Sequence, residues 1–184
     1  MRVEATASLI RRSNSSALRG TTALHVPELA FALHRCVMRD LGGDDAGRIR
    51  NVEVRPSGSP MVYALSRTVS ARLECLFRVV REALALDVPD AERGPRAVRI
   101  GAFFFRSFLL IHPFCNGNGR VARLLLSILL RPHCTVPISL FLNDRDEYIR
   151  MLERCPPMTP PWACIAYIVR CAERQASNVA FLLS

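Results

Sequence analysis

The chain has 184 residues, half of them apolar and 22% charged, with a formal charge of +9. That is enough apolar material for one packed domain and excludes wholesale disorder. All 25 basic residues are arginine, so a Walker phosphate loop and Schiff-base lysine chemistry are excluded, since both need a lysine. The positive surplus would attract polyanions. Arginine standing for lysine throughout, among many alanines, reads instead as a coding bias spread over the surface. No arginine cluster with interleaved aromatics marks a nucleic-acid face, so no nucleic-acid partner is expected.

Residues 1–22 are rich in Ser, Thr and Arg and read as a short helix or a loose tail. Val26 to Leu41 has a helical pattern with Pro27 in its first turn, and Gly42-Gly43 ends it. From Gly47 to Tyr63, the alternation of Val52 and Val54 before Pro56-Ser57-Gly58-Ser59-Pro60 signals a β-hairpin, which Pro56 confines to a sheet edge or a flap. Ser66 to Leu86 is again helical, with apolar residues at 69, 73, 76, 77, 80 and 84. A loop holding Pro89, Gly94 and Pro95 follows. Ala97 to Ile111 reads as a central helix with Phe103, Phe104, Phe105 and Phe108 in the core. His112-Pro113 must end it. After the turn from Phe114 to Gly119, a helix runs from Arg120 to Arg131-Pro132, and further helices cover Asp144 to Arg154 and about Pro161 to Leu183. Trp162 is expected to anchor the last one. The fold expected is mainly α with one hairpin, as one domain over residues 23–184.

The seven cysteines, at 36, 75, 115, 134, 155, 164 and 171, are odd in number and include no Cys-x-x-Cys. Neither a disulfide framework nor a zinc site is expected, and free thiols point to a reducing compartment. The start, MRVEATASLIRRSN, lacks the apolar core of a signal peptide, and Ile100 to Phe114 is too short and too polar to span a bilayer. A cytoplasmic or nuclear protein without a membrane partner is the expectation.

The chemistry is concentrated between His112 and Arg123. Gly117 and Gly119 permit positive φ angles and let backbone N–H groups converge. The turn opens into a helix N-terminus, which favours an anion. Arg120 and Arg123, three apart, repel each other unless a negative group such as a di- or triphosphate lies between them. His112 stands at the rim, with an ordinary pKa of about 6.5 that suits proton removal from a hydroxyl. Base, phosphate cradle and paired arginines together predict transfer of a phosphorus-containing group to a hydroxyl.

His112-Pro113-Phe114-Cys115-Asn116-Gly117-Asn118-Gly119-Arg120-Val121-Ala122-Arg123 resembles the signature of the Fic (Fido) family, His-x-Phe-x-Asp/Glu-Gly-Asn-Gly-Arg-x-x-Arg. Gly47-Arg48-Ile49-Arg50 with Val52 and Val54 resembles the family's flap. Leu33-His34 and Met38 resemble the helix before the flap, and Arg145, Tyr148 and Leu152 the helix after the active site. The likeness extends over roughly residues 15–183 and is greatest to the adenylyltransferase cores of animal, ER-resident members. It implies a Fic-type helical bundle that transfers AMP from ATP to a Ser, Thr or Tyr hydroxyl of a target protein. His112 would be the base. Gly117, Asn118 and Gly119 would hold the phosphates, with Arg120 and Arg123 on the outer ones. Asn51, Val52, Glu53 and Val54 of the flap would clamp the target by edge pairing. Relatives dimerise, so a homodimer is a further expectation, and the target itself is not named by the sequence.

Three departures qualify that resemblance. Asn116 replaces the carboxylate that holds Mg²⁺ in the family, which predicts a weakened metal site, with Glu53 the nearby carboxylate able to substitute. Ser15-Ser16-Ala17-Leu18-Arg19-Gly20 resembles an inhibitory helix whose glutamate has become Arg19, so that form of autoinhibition is expected to be absent. Tyr148-Ile149 and Pro156 stand where relatives have two tyrosines and an asparagine, which leaves the transferred group open to UMP, phosphate or phosphocholine. Together the departures keep a second reading alive, a catalytically degenerate Fic-fold protein that binds a nucleotide or a partner.

Overall fold

Six helices organise the described residues of a computed structural model, which are 27–39, 45–55, 62–134, 138, 140, 145–155 and 159–183. They are α1 (Pro27–Met38), α2 (Val69–Ala85), α3 (Asp90–Ile111), α4 (Asn118–Leu130), α5 (Arg145–Glu153) and α6 (Trp162–Leu183). Single 3₁₀ turns at Ser66–Thr68 and Arg131–His133 precede α2 and follow α4. The chain is mainly helical. Its packing divides it into two compact units, residues 1–82 with 108–122 and residues 83–107 with 123–184.

In the first unit, α2 buries Val69, Leu73, Leu76, Phe77 and Val80, the stripe that its three- and four-residue spacing predicts. A side chain as large as Phe77, wholly buried, contributes about 2–3 kcal/mol. Helix α1 buries Ala30, Leu33, His34 and Met38. Its centre of contact is Phe114, which is fully buried. The Phe114 ring stacks on His34 at 3.8 Å between centroids and meets Phe31 edge-on at 6.2 Å.

In the second unit, Gly101 lets the α3 backbone pass close to α4: a Cβ there would lie 2.9 Å from Leu126 Cδ1. Phe104, Phe105, Leu125, Leu126, Leu130 and Ile168 form its core. Arg96 donates to the Ala83 carbonyl near the end of α2 at 3.0 Å, a helix-end carbonyl with no intrahelical partner. Tyr167 donates to the Leu140 carbonyl at 2.9 Å, and Arg170 pairs with Glu147 at 2.9 Å, joining α6 to α5.

Several expectations are corrected. Helix α3 begins at Asp90 rather than Ala97, so Gly94 and Pro95 lie inside it. Asp90 and Glu92 in its first turn favour the positive helix end, and Arg93 pairs with Asp90 at 3.1 Å. Pro95, the sixth residue of α3, has no N–H to bond the Ala91 carbonyl, so one intrahelical bond is missing there. Phe103 is 44% exposed instead of core, and Trp162 is 65% exposed rather than an anchor. Helix α4 starts at Asn118 rather than Arg120. Among the described residues of 47–63 there is no strand. The expected turn of the hairpin at 56–60 lies outside the described residues, as does the segment 1–22 with Arg19. No helix among the described residues is long and apolar enough to cross a membrane. All seven cysteines are free: three are buried, two half-buried, and Cys75 and Cys115 exposed.

Candidate active site

The turn from His112 to Gly117 is built by two left-handed residues and one asparagine. His112 follows the last residue of α3, and its N–H still bonds the Phe108 carbonyl at 2.9 Å. Its φ is +51°, in the region that normally favours glycine. Gly117 has φ +73°, and its carbonyl accepts the first helical bond of α4 from Val121 at 3.0 Å. A Cβ at Gly117 would press on His34 Cδ2 and Met38 Sδ at 3.3 Å, so the position needs glycine for both conformation and room. Directly after Gly117, buried Asn118 accepts from the Phe114 N–H at 3.0 Å and donates to the Phe114 carbonyl at 2.7 Å. The Asn118 side chain is therefore spent on folding the turn, and what it offers an anion is its backbone N–H. The N–H groups of the first four helical positions have no intrahelical partner, and the positive end of α4 adds to their pull on negative charge.

His112 is poised at this turn. Its Nδ1 lies 3.3 Å from the Leu109 carbonyl. A carbonyl only accepts, so Nδ1 carries the proton and the Nε2 lone pair is available. Burial first, and the nearby Arg50 charge with it, push the imidazole down to about 4 against the pull of the Leu109 bond. The ring is thus neutral at physiological pH, the state a base requires.

Three side chains that sequence reasoning gave no role hold this arrangement. His34 accepts from the Gly47 N–H at Nδ1, 2.7 Å, and lies 3.1 Å from the Asn116 carbonyl at Nε2. The first contact fixes Nδ1 as acceptor, so Nε2 donates, and burial keeps this imidazole below its ordinary pKa. Arg50, buried, donates from Nε to the His112 carbonyl at 2.6 Å, from Nη1 to the Val52 carbonyl at 2.8 Å and from Nη2 to the Ala64 carbonyl. Tyr63 stacks on the His112 ring with centroids 3.8 Å apart and planes 14° apart. His34 and Arg50 had only their place in the family likeness as a signal, and Tyr63 only its position at the end of the flap segment.

The remaining predicted residues are placed as follows. Arg120 is exposed, with Nη2 3.9 Å from Met38 Sδ. Arg123, one turn further along α4, lies in the second unit with its guanidinium 5.8 Å from the Tyr148 ring centroid. Gly119 is in the first turn of α4. Asn51, Val52 and Glu53 are exposed and Val54 is half-buried. Glu53 is occupied: its Oε1 accepts from the Ser66 N–H at 2.9 Å and the Ser66 hydroxyl at 2.7 Å, bonds that pull its carboxyl below the usual range. Asn116 is exposed and brings one neutral oxygen. Among the described residues no three His, Cys, Asp or Glu side chains gather as a metal site would need. Asn116 thus offers an oxygen without charge, where Mg²⁺ ordinarily takes one or two carboxylates beside substrate phosphates.

A helical fold in which a buried, neutral imidazole stands in the turn that leads into a helix start defines the candidate site. The chain belongs to the Fic/DOC family, whose family model matches residues 24–130. It is 26% identical over 165 residues, 88% of its length, to the protein adenylyltransferase Fic of Nematostella vectensis, and 29% identical over 120 residues to the protein adenylyltransferase fic-1 of Caenorhabditis elegans. It spans only 35% and 22% of those two proteins. The solved structure of C. elegans Fic-1 superposes with a TM-score of 0.74 at 21% identity, covering 99% of this chain and 50% of that one. That likeness establishes the fold.

Proposed function

We propose that this chain is a protein adenylyltransferase, moving AMP from ATP to a Ser, Thr or Tyr hydroxyl of a target protein. The observation that carries the proposal is His112: a neutral imidazole, bonded through Nδ1, in the turn that leads into α4. In this reading Nε2 takes the proton from the target hydroxyl as its oxygen bonds to the α-phosphorus. The bond from that phosphorus to the bridging oxygen breaks, and pyrophosphate leaves with the electron pair. The N–H groups of Gly117, Asn118 and Gly119 and the guanidinium groups of Arg120 and Arg123 hold the phosphates and stabilise the growing charge. Residues 51–54, as part of a hairpin flap, hold the target segment; the Glu53–Ser66 bonds support a fixed position for that arm. Mg²⁺ would arrive with the nucleotide, with at most Asn116 as a protein ligand, and no step is routed through it. A reducing compartment, cytoplasmic or nuclear, suits seven free thiols.

Asn116 favours a second reading, in which the same cradle binds a nucleotide and acts by occupancy. Incubation with ATP labelled on the α-phosphate separates the two, using intact-mass analysis to identify the group gained by the chain or by added protein. A gain of AMP that vanishes in His112→Ala is expected. Nucleotide binding without any transfer would replace the first reading with the second.

A further inference from the structure

Both arms of the flap segment reach the turn at one residue. On the incoming arm, the Arg50 guanidinium spans the carbonyls of His112, Val52 and Ala64, with Ile111 a fourth at 3.3 Å. The Arg50 backbone N–H adds a bond to the Pro113 carbonyl at 2.9 Å. On the returning arm, the Tyr63 ring lies flat against the His112 imidazole, and the next residue, Ala64, donates to the Leu110 carbonyl at 3.0 Å.

We infer that Tyr63 and Arg50 are positioning residues for His112, the ring covering one imidazole face and the guanidinium fixing the carbonyl of the same residue. The inference rests on His112 being the base. Its physical need is plain from the geometry. A left-handed histidine is strained, so the peptide after it relaxes unless its carbonyl is held. A single 3.3 Å contact at Nδ1 is long for a hydrogen bond and does not by itself stop the ring turning. The Tyr63 stack stops it and excludes water from one face. Arginine is required on the other arm because its planar fork addresses several carbonyls at once, whereas a lysine ammonium is a single point. It follows that the segment expected to grip the target also orients the base, so that target engagement and base geometry are mechanically one event.

The test uses the full chain labelled with ¹⁵N-histidine, with His112 assigned from the signal lost in His112→Asn. In the wild type and in Tyr63→Phe, NMR should report the Nδ1-protonated tautomer and a titration midpoint well below that of a free histidine. In Tyr63→Leu the tautomers should mix and the midpoint should rise by on the order of one pH unit. AMP transfer should then fall about tenfold or more in kcat, with KM for ATP unchanged and the acid limb of the rate profile moved up by the same interval. Arg50→Lys should act in the same direction on the tautomer; if that variant does not fold, the Tyr63 pair alone decides. A Tyr63→Leu protein with wild-type tautomer and midpoint overturns the inference. A wild-type protein that transfers nothing from any nucleotide overturns the base reading instead, and the spectra distinguish the two failures.

Discussion

Acid should loosen this protein through His112, and the size of the effect follows from its surroundings. The imidazole is held at about 4 in the folded chain and returns to about 6.5 when unfolded. A group whose folded pKa is depressed contributes fully above the unfolded value, and that contribution is lost as pH falls toward the folded one. At about 1.4 kcal/mol per pH unit, the loss is about 2 kcal/mol between pH 7 and 5 and on the order of 3 kcal/mol by pH 4. His34, lowered by its own burial, works in the same direction, so the wild type alone does not isolate His112. The comparison with His112→Asn does, because asparagine tolerates positive φ and does not titrate. Urea unfolding of both proteins at pH 7 and at pH 5, followed by circular dichroism, should show the wild type losing about 2 kcal/mol more than the variant. Equal losses would mean that His112 is solvated as in the unfolded chain, and the case for a desolvated base, neutral at physiological pH, would fall with it.

Three other perturbations have defined outcomes. Gly117→Ala should destabilise by about 1–2 kcal/mol, from the left-handed backbone and the crowding at His34 and Met38; a thermal midpoint lowered by several degrees is the readout. Asn118→Ala strands the N–H and carbonyl of buried Phe114, at about 2–4 kcal/mol, whereas an apolar site tolerant of the change would leave the urea midpoint in place. Asn116→Asp should tighten Mg²⁺-dependent ATP binding by about tenfold in a calorimetric titration, since a full charge replaces a neutral oxygen, and equal affinities with and without the carboxylate would remove Asn116 from the metal's surroundings.

Local periodicity made most of the helices legible. The α2 stripe appears in the structure at five of the six predicted positions as buried residues, with Leu84 half-buried. Where it misled, the cause is geometric. Successive residues in a helix are about 100° apart, so a run such as Phe103, Phe104 and Phe105 cannot all face one core, and Phe103 turns to solvent. Gly94-Pro95 reads as a break because glycine is a poor helix former and proline lacks the N–H for an intrahelical bond, while the acidic first turn that starts α3 at Asp90 lies upstream of both. The motif turn was legible because its letters are contiguous. Its supports were not, since Arg50 meets His112 across 62 residues and nothing local in Gly47-Arg48-Ile49-Arg50 announces a buried guanidinium. The motif places Asn118 among the phosphate holders, and the turn's own bonds show that its side chain is engaged with Phe114, which leaves the backbone N–H for that part.

The Arg50 contacts also decide what could be moved to another protein. A twelve-residue insert copying 112–123 would reproduce a bend and a helix start in any helical hairpin, yet its imidazole would be unseated, for the guanidinium that steadies it comes from far upstream. Any transplant has to bring Arg50 and Tyr63 along with the turn, because the carbonyl and the ring face of His112 are held by those two side chains.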